Sequence, residues 1–328
     1  MTLTFDDIKN AARGAVFFRE EGGLLYFERF SEEQKAYYEG VCERFFIRTR
    51  ATTSVILDFV TDASSMTLSY EMGRLNMVVC DFMFFDVWED DVMTAHVGAY
   101  SREKLRETVN IPLRPGKKRV RIFFPGAFDM SIGGITLEGA SLFAPSERGP
   151  RVLIHGDSIT QGYDAHYPSL AYANTLIRDF DLDVINQAVG GEIFRPGMIG
   201  TAPLFDLDAV LVAYGTNDWY GGISEENIRE FFKRLRSLYP DVPIFYISPI
   251  WLAEWDKSYC GVSFSDLTSR LKSIAESEGA IVINGDEIMP KVAKMYTDGE
   301  HPSDLGFQMY AKSLERLLTE TGRFPRKN

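Results

Sequence analysis

Apolar and polar positions alternate along the first 142 residues, and apolar residues gather into short unbroken runs after that. Between 14 and 142, alternating or aromatic-rich runs are separated by clusters of Asp, Gly, Pro and Ser. Many short strands at this spacing, with no convincing helical period, predict an all-β sandwich or jelly roll. The predicted strands are Gly14–Phe18, Leu24–Phe27, Cys42–Thr49, Ser54–Thr61, Met66–Glu71, Val78–Trp88, Lys104–Ile111 and Arg119–Phe124.

The rhythm changes after Phe143–Pro150, a stretch whose prolines, glycine and charges are typical of a short linker. Apolar runs then alternate with helical patterns, which predicts a doubly wound α/β/α domain with a mostly parallel sheet. We therefore expect a β-sandwich domain over 1–145 and an α/β domain over 146–328. The predicted strands are Val152–His155, Leu182–Asn186, Ala209–Tyr214, Ile244–Ser248 and Ala280–Asn284, and the predicted helices are Ser169–Asp179, Ser224–Leu238, Ser263–Glu278 and Asp304–Glu320.

Charge and cysteine content narrow the classes of partner and compartment. A net charge of −12 argues against nucleic acid or an anionic membrane surface as the main partner. Cys42, Cys80 and Cys260 show no C-x-x-C spacing, which favours a reduced compartment over a disulfide framework or a zinc–thiolate site. The acidic N-terminal residues and the lack of a long apolar run add the expectation of a soluble cytoplasmic protein without a membrane span.

The candidate nucleophile is Ser158, in the stretch V-L-I-H-G-D-S-I-T-Q-G that begins at Val152. A buried strand is predicted to stop just before Asp157, and Gly156 permits a tight turn there. Open α/β sheets bind their ligands at the carboxyl ends of such strands. Backbone N–H groups of the same turn are able to receive a developing oxyanion.

Three further polar segments follow other predicted strands. N-Q-A-V-G-G-E at 186–192 contains a Gly pair that lets a backbone N–H turn toward the edge of the sheet. Y-G-T-N-D-W at 214–219 offers Asn217 as a side-chain donor to an oxyanion. D-G-E-H-P-S-D-L-G at 298–306 places Asp298 three residues before His301, so the carboxylate can hold Nδ1–H while Nε2 faces the serine.

Each segment also has an ordinary structural interpretation. Gly-Asp-Ser is common in turns and helix caps, the Gly pair fits a plain loop, and Asn217 fits an Asx-type turn. His301 fits the lead-in to a helix, which would leave His166, in a neighbouring loop, as a reserve base. A metal site built from Asp157, Asp298 and His301 lacks any His-x-x-x-His pair and is disfavoured.

Taken together, the four segments resemble the SGNH, or GDSL-type, hydrolase family. G-D-S-I-T, N-Q-A-V-G-G, G-T-N-D and D-G-E-H-P-S-D-L-G correspond in order to its blocks and cover about 151–320. The resemblance implies a flavodoxin-like sheet and a Ser-His-Asp triad with an oxyanion hole. The implied nucleophile, base and orienting carboxylate are Ser158, His301 and Asp298, and the implied oxyanion donors are the N–H groups of Ser158 and Gly191 and the amide of Asn217.

The second block departs slightly from the family pattern. Ala188 and Gly190 stand where Gly and Ser are frequent. Gly190 is therefore the alternative to Gly191 as the backbone donor, and we favour Gly191 because it ends the block. A β-sandwich before the hydrolase domain also resembles the layout of bacterial SGNH acylhydrolases and carbohydrate esterases.

The implied reaction is acyl transfer to water through an acyl-serine, with no metal or organic cofactor. Aromatic residues in the loops at the catalytic edge would suit a sugar ring or a small acyl pocket, although they could equally pack the two domains together. We expect the substrate to be a small-molecule O-acyl ester, and specifically an acetyl ester of a carbohydrate. The candidate substrate contacts are Tyr163, His166, Arg195, Trp219, Tyr220, Trp251 and Trp255.

Other functions stay open. A lipid esterase or thioesterase would use the same mechanism on a different substrate. A non-catalytic carbohydrate-binding protein and a structural assembly subunit are interpretations from other classes. The complete set of Ser158, Asn217, Asp298 and His301 argues against both, because a silent site has no physical need for all four residues.

Overall fold

The computed structural model describes residues 1–74, 81–101 and 103–327. Antiparallel strands dominate the first 145 residues and form two sheets. The strands are β1 (Ala12–Arg13), β2 (Phe17–Glu21), β3 (Leu24–Glu28), β4 (Ile56–Thr61), β5 (Ser65–Arg74), β6 (Phe82–Glu89), β7 (Val92–Tyr100), β8 (Leu105–Pro112), β9 (Lys118–Phe123), β10 (Phe128–Glu138) and β11 (Phe143–Pro145).

The two sheets face each other across one apolar core. One sheet has the strand order β1-β4-β9-β6-β7, with β11 beside β4, and the other has the order β2-β3-β10-β5-β8. Leu57 and Val87 from the first sheet share a buried cluster with Leu68 and Ile132 from the second. The β-sandwich is therefore confirmed. Residues 78–80 of the predicted strand Val78–Trp88, which include Cys80, lie outside the described residues.

Three helices interrupt the sandwich, and the sequence pattern did not predict them. They are α1 (Phe5–Ala11), α2 (Glu32–Val41) and α3 (Glu43–Arg48). The predicted strand Cys42–Thr49 is therefore wrong. Ser31 begins α2 with a capping box: its hydroxyl accepts the N–H of Gln34, whose side chain accepts the N–H of Ser31. The aromatic content of E-R-F-F-I-R favours a strand, but capping and tertiary packing outweigh that preference.

The second half of the chain forms three layers around a parallel sheet. The strands of this half are β12 (Arg151–Gly156), β13 (Asp183–Asn186), β14 (Ala209–Ala213), β15 (Ile244–Ile247), β16 (Ser258–Tyr259), β17 (Val262–Ser263) and β18 (Ile281–Ile283). Strands β16 and β17 form a separate antiparallel pair. The helices of this half are α4 (Ser158–Gln161), α5 (Tyr172–Phe180), α6 (Thr216–Gly221), α7 (Glu225–Leu238), α8 (Phe264–Ser277) and α9 (Asp304–Glu320). Helices α5 and α9 pack together in one apolar cluster, and α7 and α8 pack together in another.

The sheet order creates the crevice in which the site lies. The order is β13-β12-β14-β15-β18, with every pairing parallel, so the predicted doubly wound α/β/α fold is confirmed. From β12 the chain goes to β13 on one side, and β14 then lies on the other side. Ligands of open α/β sheets bind at such a switch point, outside the carboxyl ends of the strands.

The two halves of the chain also share an apolar cluster. The predicted boundary at 145/146 lies between β11 and β12, yet Phe30, Tyr38 and Phe45 of the first half belong to the same apolar cluster as Val189 and Phe194 of the second. Helices α2 and α3 therefore pack against the α/β half, while Ile47 of α3 also contacts the sandwich core. Among the described residues, no helix has both the length and the apolar character needed to cross a bilayer.

Candidate active site

Ser158 stands at the first turn after the central strand β12. Asp157 caps the short helix α4, its Oδ1 accepting the N–H of Ile159 at 3.1 Å. Gly156 is required by close packing, because a Cβ there would lie 2.2 Å from Thr160 Oγ1. The strand, cap and turn thus hold the hydroxyl at the carboxyl edge of the sheet, beside β14.

His301 and Asp298 reach this serine from the long loop between β18 and α9. His301 Nε2 lies 2.8 Å from Ser158 Oγ, and His301 Nδ1 lies 2.7 Å from Asp298 Oδ2. Asp298 Oδ1 accepts the backbone N–H groups of Glu300 at 2.9 Å and His301 at 2.8 Å. Ser303 caps α9, which anchors the end of the loop. These three side chains therefore form one continuous hydrogen-bonded row.

The electrostatics of the row favour a proton on the imidazole. Burial by itself would lower the pKa of His301, but the hydrogen bond and charge of Asp298 outweigh it and raise that pKa above its usual value. Burial opposes ionisation of Asp298, yet its hydrogen bonds from His301 and Glu300 hold the pKa of this carboxyl far below its usual range. An ionised Asp298 next to a readily protonated His301 is the arrangement that general-base chemistry needs.

The two other predicted oxyanion segments meet the serine from β13 and β14. Gly190 N–H donates to Gln161 Oε1 at 2.8 Å, so it is already occupied. Gly191, with φ of +83°, turns the following backbone sharply, which an L side chain would oppose. Asn217 Nδ2 donates to the Glu192 carbonyl at 3.1 Å, and its contact with Asp157 Oδ2 is longer, at 3.4 Å.

Two buried carboxyl groups, those of Asp157 and Asp218, lie next to these oxyanion segments. Burial, with the nearby charge of Glu300, raises the pKa of Asp157 to about 7. Burial also raises the pKa of Asp218 to about 7, and the Oδ1 of Asp218 accepts the N–H of Phe194 at 3.2 Å. Neither carboxyl belongs to the serine–histidine row.

A cavity of about 410 Å³ opens over the row. Residues from both halves of the chain line it, and most of them are polar or charged. They are Arg48, Ala127, Ser158, Gln161, Tyr163, Gly190, Gly191, Asn217, Tyr220, Asp298, Glu300 and His301. The volume falls within the range of about 300–1,000 Å³ typical of small-molecule sites.

A family model matches the chain over residues 154–309, and its description is GDSL-like lipase/acylhydrolase. The match spans all four polar segments. Residues 154–309 are therefore similar to this family. A search of curated protein sequences finds no match to the chain.

Solved structures share the two-domain architecture of this protein at low sequence identity. The salicylyl-acyltransferase SsfX3 from a tetracycline biosynthetic pathway is 20% identical, with a TM-score of 0.84 over 96% of each chain. A GDSL-like protein from Bacteroides ovatus is 17% identical, with a TM-score of 0.75 over 100% of this chain and 99% of its own. A family two carbohydrate esterase from Cellvibrio japonicus is 16% identical, with a TM-score of 0.66 over 98% and 97%. At these low sequence identities, the structural similarity shows that the fold is shared, and it shows the fold alone.

Of the predicted substrate contacts, the structure places two in the cavity. Tyr163 lines it and packs on His301, with ring centroids 4.7 Å apart. Tyr220 lines it and donates its hydroxyl to Glu300 Oε2 at 3.2 Å. Both residues lie beside the serine–histidine row.

The other five predicted contacts lie elsewhere, and here the sequence interpretation needs correction. Trp219 is fully buried within α6, and its Nε1 donates to the Val262 carbonyl. Trp251 is buried against Tyr296, and Trp255 is half-exposed near Lys291. Being in a loop that follows a strand does not ensure that a ring faces the cavity.

His166 and Arg195 also lie outside the cavity. His166 Nε2 lies 2.6 Å from Tyr100 Oη of the sandwich, so the ring packs between the two domains, as the alternative interpretation held. Arg195 pairs with Glu192 at 2.7 Å and stacks on Phe45. Neither residue lines the cavity, and the hydrogen-bond partner of the reserve base His166 is Tyr100 and not Ser158.

Four cavity residues were missed by the sequence reasoning: Arg48, Ala127, Gln161 and Glu300. Gln161 and Glu300 lie within the quoted motifs, so the motifs themselves were the available signal. Arg48 comes from α3 in the sandwich half, where a strand was predicted, and no local pattern marks it as a site residue. Only the packing of α3 on the α/β half brings it to the cavity.

The metal ligands considered from the sequence are not brought together as a set. Oxygen and nitrogen atoms of Asp164, Asp298 and His301 lie within 4.8 Å of one another, and Asp157 is not part of this group. Both ring nitrogens of His301 already face hydrogen-bond partners, Ser158 and Asp298. The geometry of this imidazole thus suits proton transfer.

Proposed function

We propose that this protein is a serine esterase that hydrolyses small O-acyl esters, acetyl esters of carbohydrates in particular. The observation that carries the proposal is the continuous row from Ser158 Oγ through His301 to Asp298, with distances of 2.8 and 2.7 Å. Nucleophile, base and orienting group within hydrogen-bond reach are the signature of nucleophilic acyl transfer. The similarity of residues 154–309 to an acylhydrolase family supports the same reaction class.

In the proposed reaction, Ser158 Oγ forms a bond to the ester carbonyl carbon while its proton passes to His301 Nε2. The tetrahedral intermediate then expels the alcohol, which takes that proton as the ester C–O bond breaks. Water repeats the sequence on the acyl-serine: its proton goes to His301, the acid leaves, and Ser158 regains its hydrogen. Asp298 stays ionised throughout and stabilises the imidazolium.

Three donors are assigned to the oxyanion: the N–H groups of Ser158 and Gly191 and the amide of Asn217. Gly191 is chosen over Gly190 because the Gly190 N–H already donates to Gln161. Asn217 keeps one N–H on the Glu192 carbonyl, and its long contact with Asp157 is weak enough to yield to a charged oxygen. Such donors stabilise the transition state more than the neutral ester.

The composition of the cavity supports a polar alcohol and a short acyl group. Its lining includes Arg48, Glu300 and the Tyr220 hydroxyl, whereas Ala127 supplies its aliphatic contact. A long acyl chain would leave these polar groups desolvated without partners, which is costly. Sugar hydroxyls would satisfy them instead, and Tyr163 offers a ring for the sugar face. A structural relative described as a carbohydrate esterase agrees with this choice.

The test compares wild type with Ser158→Ala on a short-chain nitrophenyl ester and then on a substrate panel. The proposal expects the variant to lose at least about 10⁴-fold in kcat. Acetylated sugars should give higher kcat/KM than long-chain lipid esters or acyl thioesters. Equal rates for both proteins would remove the enzyme assignment, and a preference for long chains would replace the carbohydrate assignment with the lipid one.

A further inference from the structure

The strand-to-helix loop that carries Gly190 and Gly191 is held mainly by residues from the sandwich half of the chain. Buried Arg29 donates through Nη1 to the carbonyls of Asn186 and, at 3.2 Å, of Ala188. Gln34 and Gln187 exchange two amide hydrogen bonds, at 2.9 and 2.8 Å. The sandwich half thus contacts this loop at three successive residues before the glycines.

Arg48, the last residue of α3, continues this set of contacts. Its Nη1 donates to the carbonyl of Gly190, and its side chain lines the cavity. The Gly190 N–H is held from the opposite side by Gln161 Oε1. Gly190 is therefore fixed at both of its backbone polar groups.

A side chain at 190 would interfere with both contacts. Its Cβ would lie 3.1 Å from Arg48 Nη1, 3.2 Å from Gln161 Oε1 and 3.6 Å from the Ser158 Cβ. Since these positions are already tight, the glycine leaves room for the two partners next to the serine. The same distances show that this peptide lies beside the nucleophile.

We propose that Arg48 is a positioning residue that orients the Gly191 N–H toward the oxyanion. The peptide bond between Gly190 and Gly191 is planar, so its carbonyl and its N–H point in opposite directions. Fixing the carbonyl against Arg48 therefore fixes the direction of the N–H. A cation on the carbonyl also polarises the peptide and strengthens the N–H as a donor. This inference rests on the proposed esterase function.

The main test is the kinetics of Arg48→Ala and Arg48→Lys on a nitrophenyl acetate substrate. Arg48→Ala should lower kcat by about 10- to 100-fold with little change in KM, because loss of an oxyanion donor costs about 10²–10³-fold and a misaimed one less. Arg48→Lys, which keeps a charged donor without the planar fork, should retain more activity. Added guanidinium at low millimolar concentration should restore part of kcat to Arg48→Ala. The matched control is Arg50→Ala, since Arg50 stacks on Phe46 and does not line the cavity.

Two further measurements test the role of Arg48 independently of the activity of Arg48→Ala. Gln161→Leu releases the other side of Gly190 and should show the same selective loss of kcat, even if Arg48→Ala folds poorly. Hydrogen exchange of the 187–192 segment should increase in Arg48→Ala and not in Arg50→Ala, and this readout needs no activity. A rise in KM at unchanged kcat would make Arg48 a substrate contact and overturn the proposal. If the esterase rate of Ser158→Ala equalled that of wild type, the proposed esterase function would be wrong. Hydrogen exchange tests the positioning role separately: an unchanged exchange rate of the 187–192 segment in Arg48→Ala would overturn that role.

Discussion

The two ends of the cavity are built in different ways. At the nucleophile end, Ser158, His301 and Asp298 are placed by turns and caps within the α/β half. At the oxyanion end, the Gly190–Gly191 loop depends on Arg29, Gln34 and Arg48 from the other half. The proposed base and nucleophile are thus properties of one domain, whereas the Gly191 part of the proposed oxyanion site depends on how the two domains pack.

This difference predicts that substitutions at the two ends of the cavity have different consequences. Changes at the nucleophile end should remove the chemistry and leave the fold intact, because the side chains involved lie at the rim of the sheet. Changes at the oxyanion end should reduce the stabilisation of the transition state and also loosen the contact between the halves.

Replacing the base should have the largest effect. His301→Ala removes the proton acceptor for Ser158 Oγ, and we expect kcat on nitrophenyl acetate to fall by about 10⁴-fold or more. The melting temperature should stay close to that of wild type, which differential scanning calorimetry can check. Retention of more than a tenth of the activity would mean that another group removes the serine proton.

Replacing the orienting carboxylate should reduce activity and also change its pH dependence. Because the folded pKa of His301 is raised, its neutral form is lost as pH falls through a value above about 6.5, and kcat/KM should decline there. Asp298→Asn removes the charge that raises this pKa while burial still lowers it. We expect a loss of about 10³–10⁴-fold and an acid limb shifted to lower pH.

The control for this pH profile is the buried carboxyl of Asp157, whose pKa burial raises to about 7. If the acid limb came from Asp157, it would stay in place in Asp298→Asn and move in Asp157→Asn. That outcome would contradict the assignment of the limb to His301.

At the oxyanion end, Asn217→Ala should cost less than either triad change. We expect kcat to fall by about 10²-fold with a smaller change in KM, because the amide acts on the charged intermediate rather than on the ester. Steady-state kinetics on the same nitrophenyl ester will check it. An unchanged kcat would remove Asn217 from the oxyanion role and leave that end of the cavity to the backbone donors.

The smallest effect should come from a residue far from the cavity that supports the oxyanion end. Ser31→Ala removes the cap of α2, the helix that carries Gln34, and should lower the free energy of unfolding by about 1 kcal/mol. Urea unfolding measures it. Thr4→Ala is the matched control, because Thr4 caps α1 with a capping box of the same kind and α1 packs on β4 and β11 of the sandwich. If the coupling between halves is real, only Ser31→Ala should also lower kcat slightly.

The same contrast explains what the sequence could predict. The proposed triad and Asn217 follow the ends of parallel strands, and a parallel sheet brings those ends to one edge, so motif order was enough to predict that these residues lie together. Gly191 was chosen over Gly190 on position in its block, and the bond from Gly190 to Gln161 gives that choice a physical reason. The five misplaced contact residues show that a motif locates a loop but not the direction of each ring in it.

Arg48 could not be predicted in the same way. Its segment is rich in aromatic residues and was interpreted as a strand, although S-E-E-Q upstream carries the signal of a capping box. Even with α3 assigned correctly, its contact with Gly190 spans 142 positions and depends on how the domains pack. Local pattern carries no information about such a contact without the tertiary fold.

If Ser158 is the nucleophile, it becomes acylated during turnover, and this acyl-serine can be detected. Wild type and Ser158→Ala would be quenched within the first turnover of nitrophenyl acetate, digested and examined by mass spectrometry. We predict one acetyl group on the wild-type peptide that contains Ser158, with a matching burst of nitrophenolate, and neither signal in the variant. An acetyl group on another residue, or an equal burst from the variant, would contradict the account.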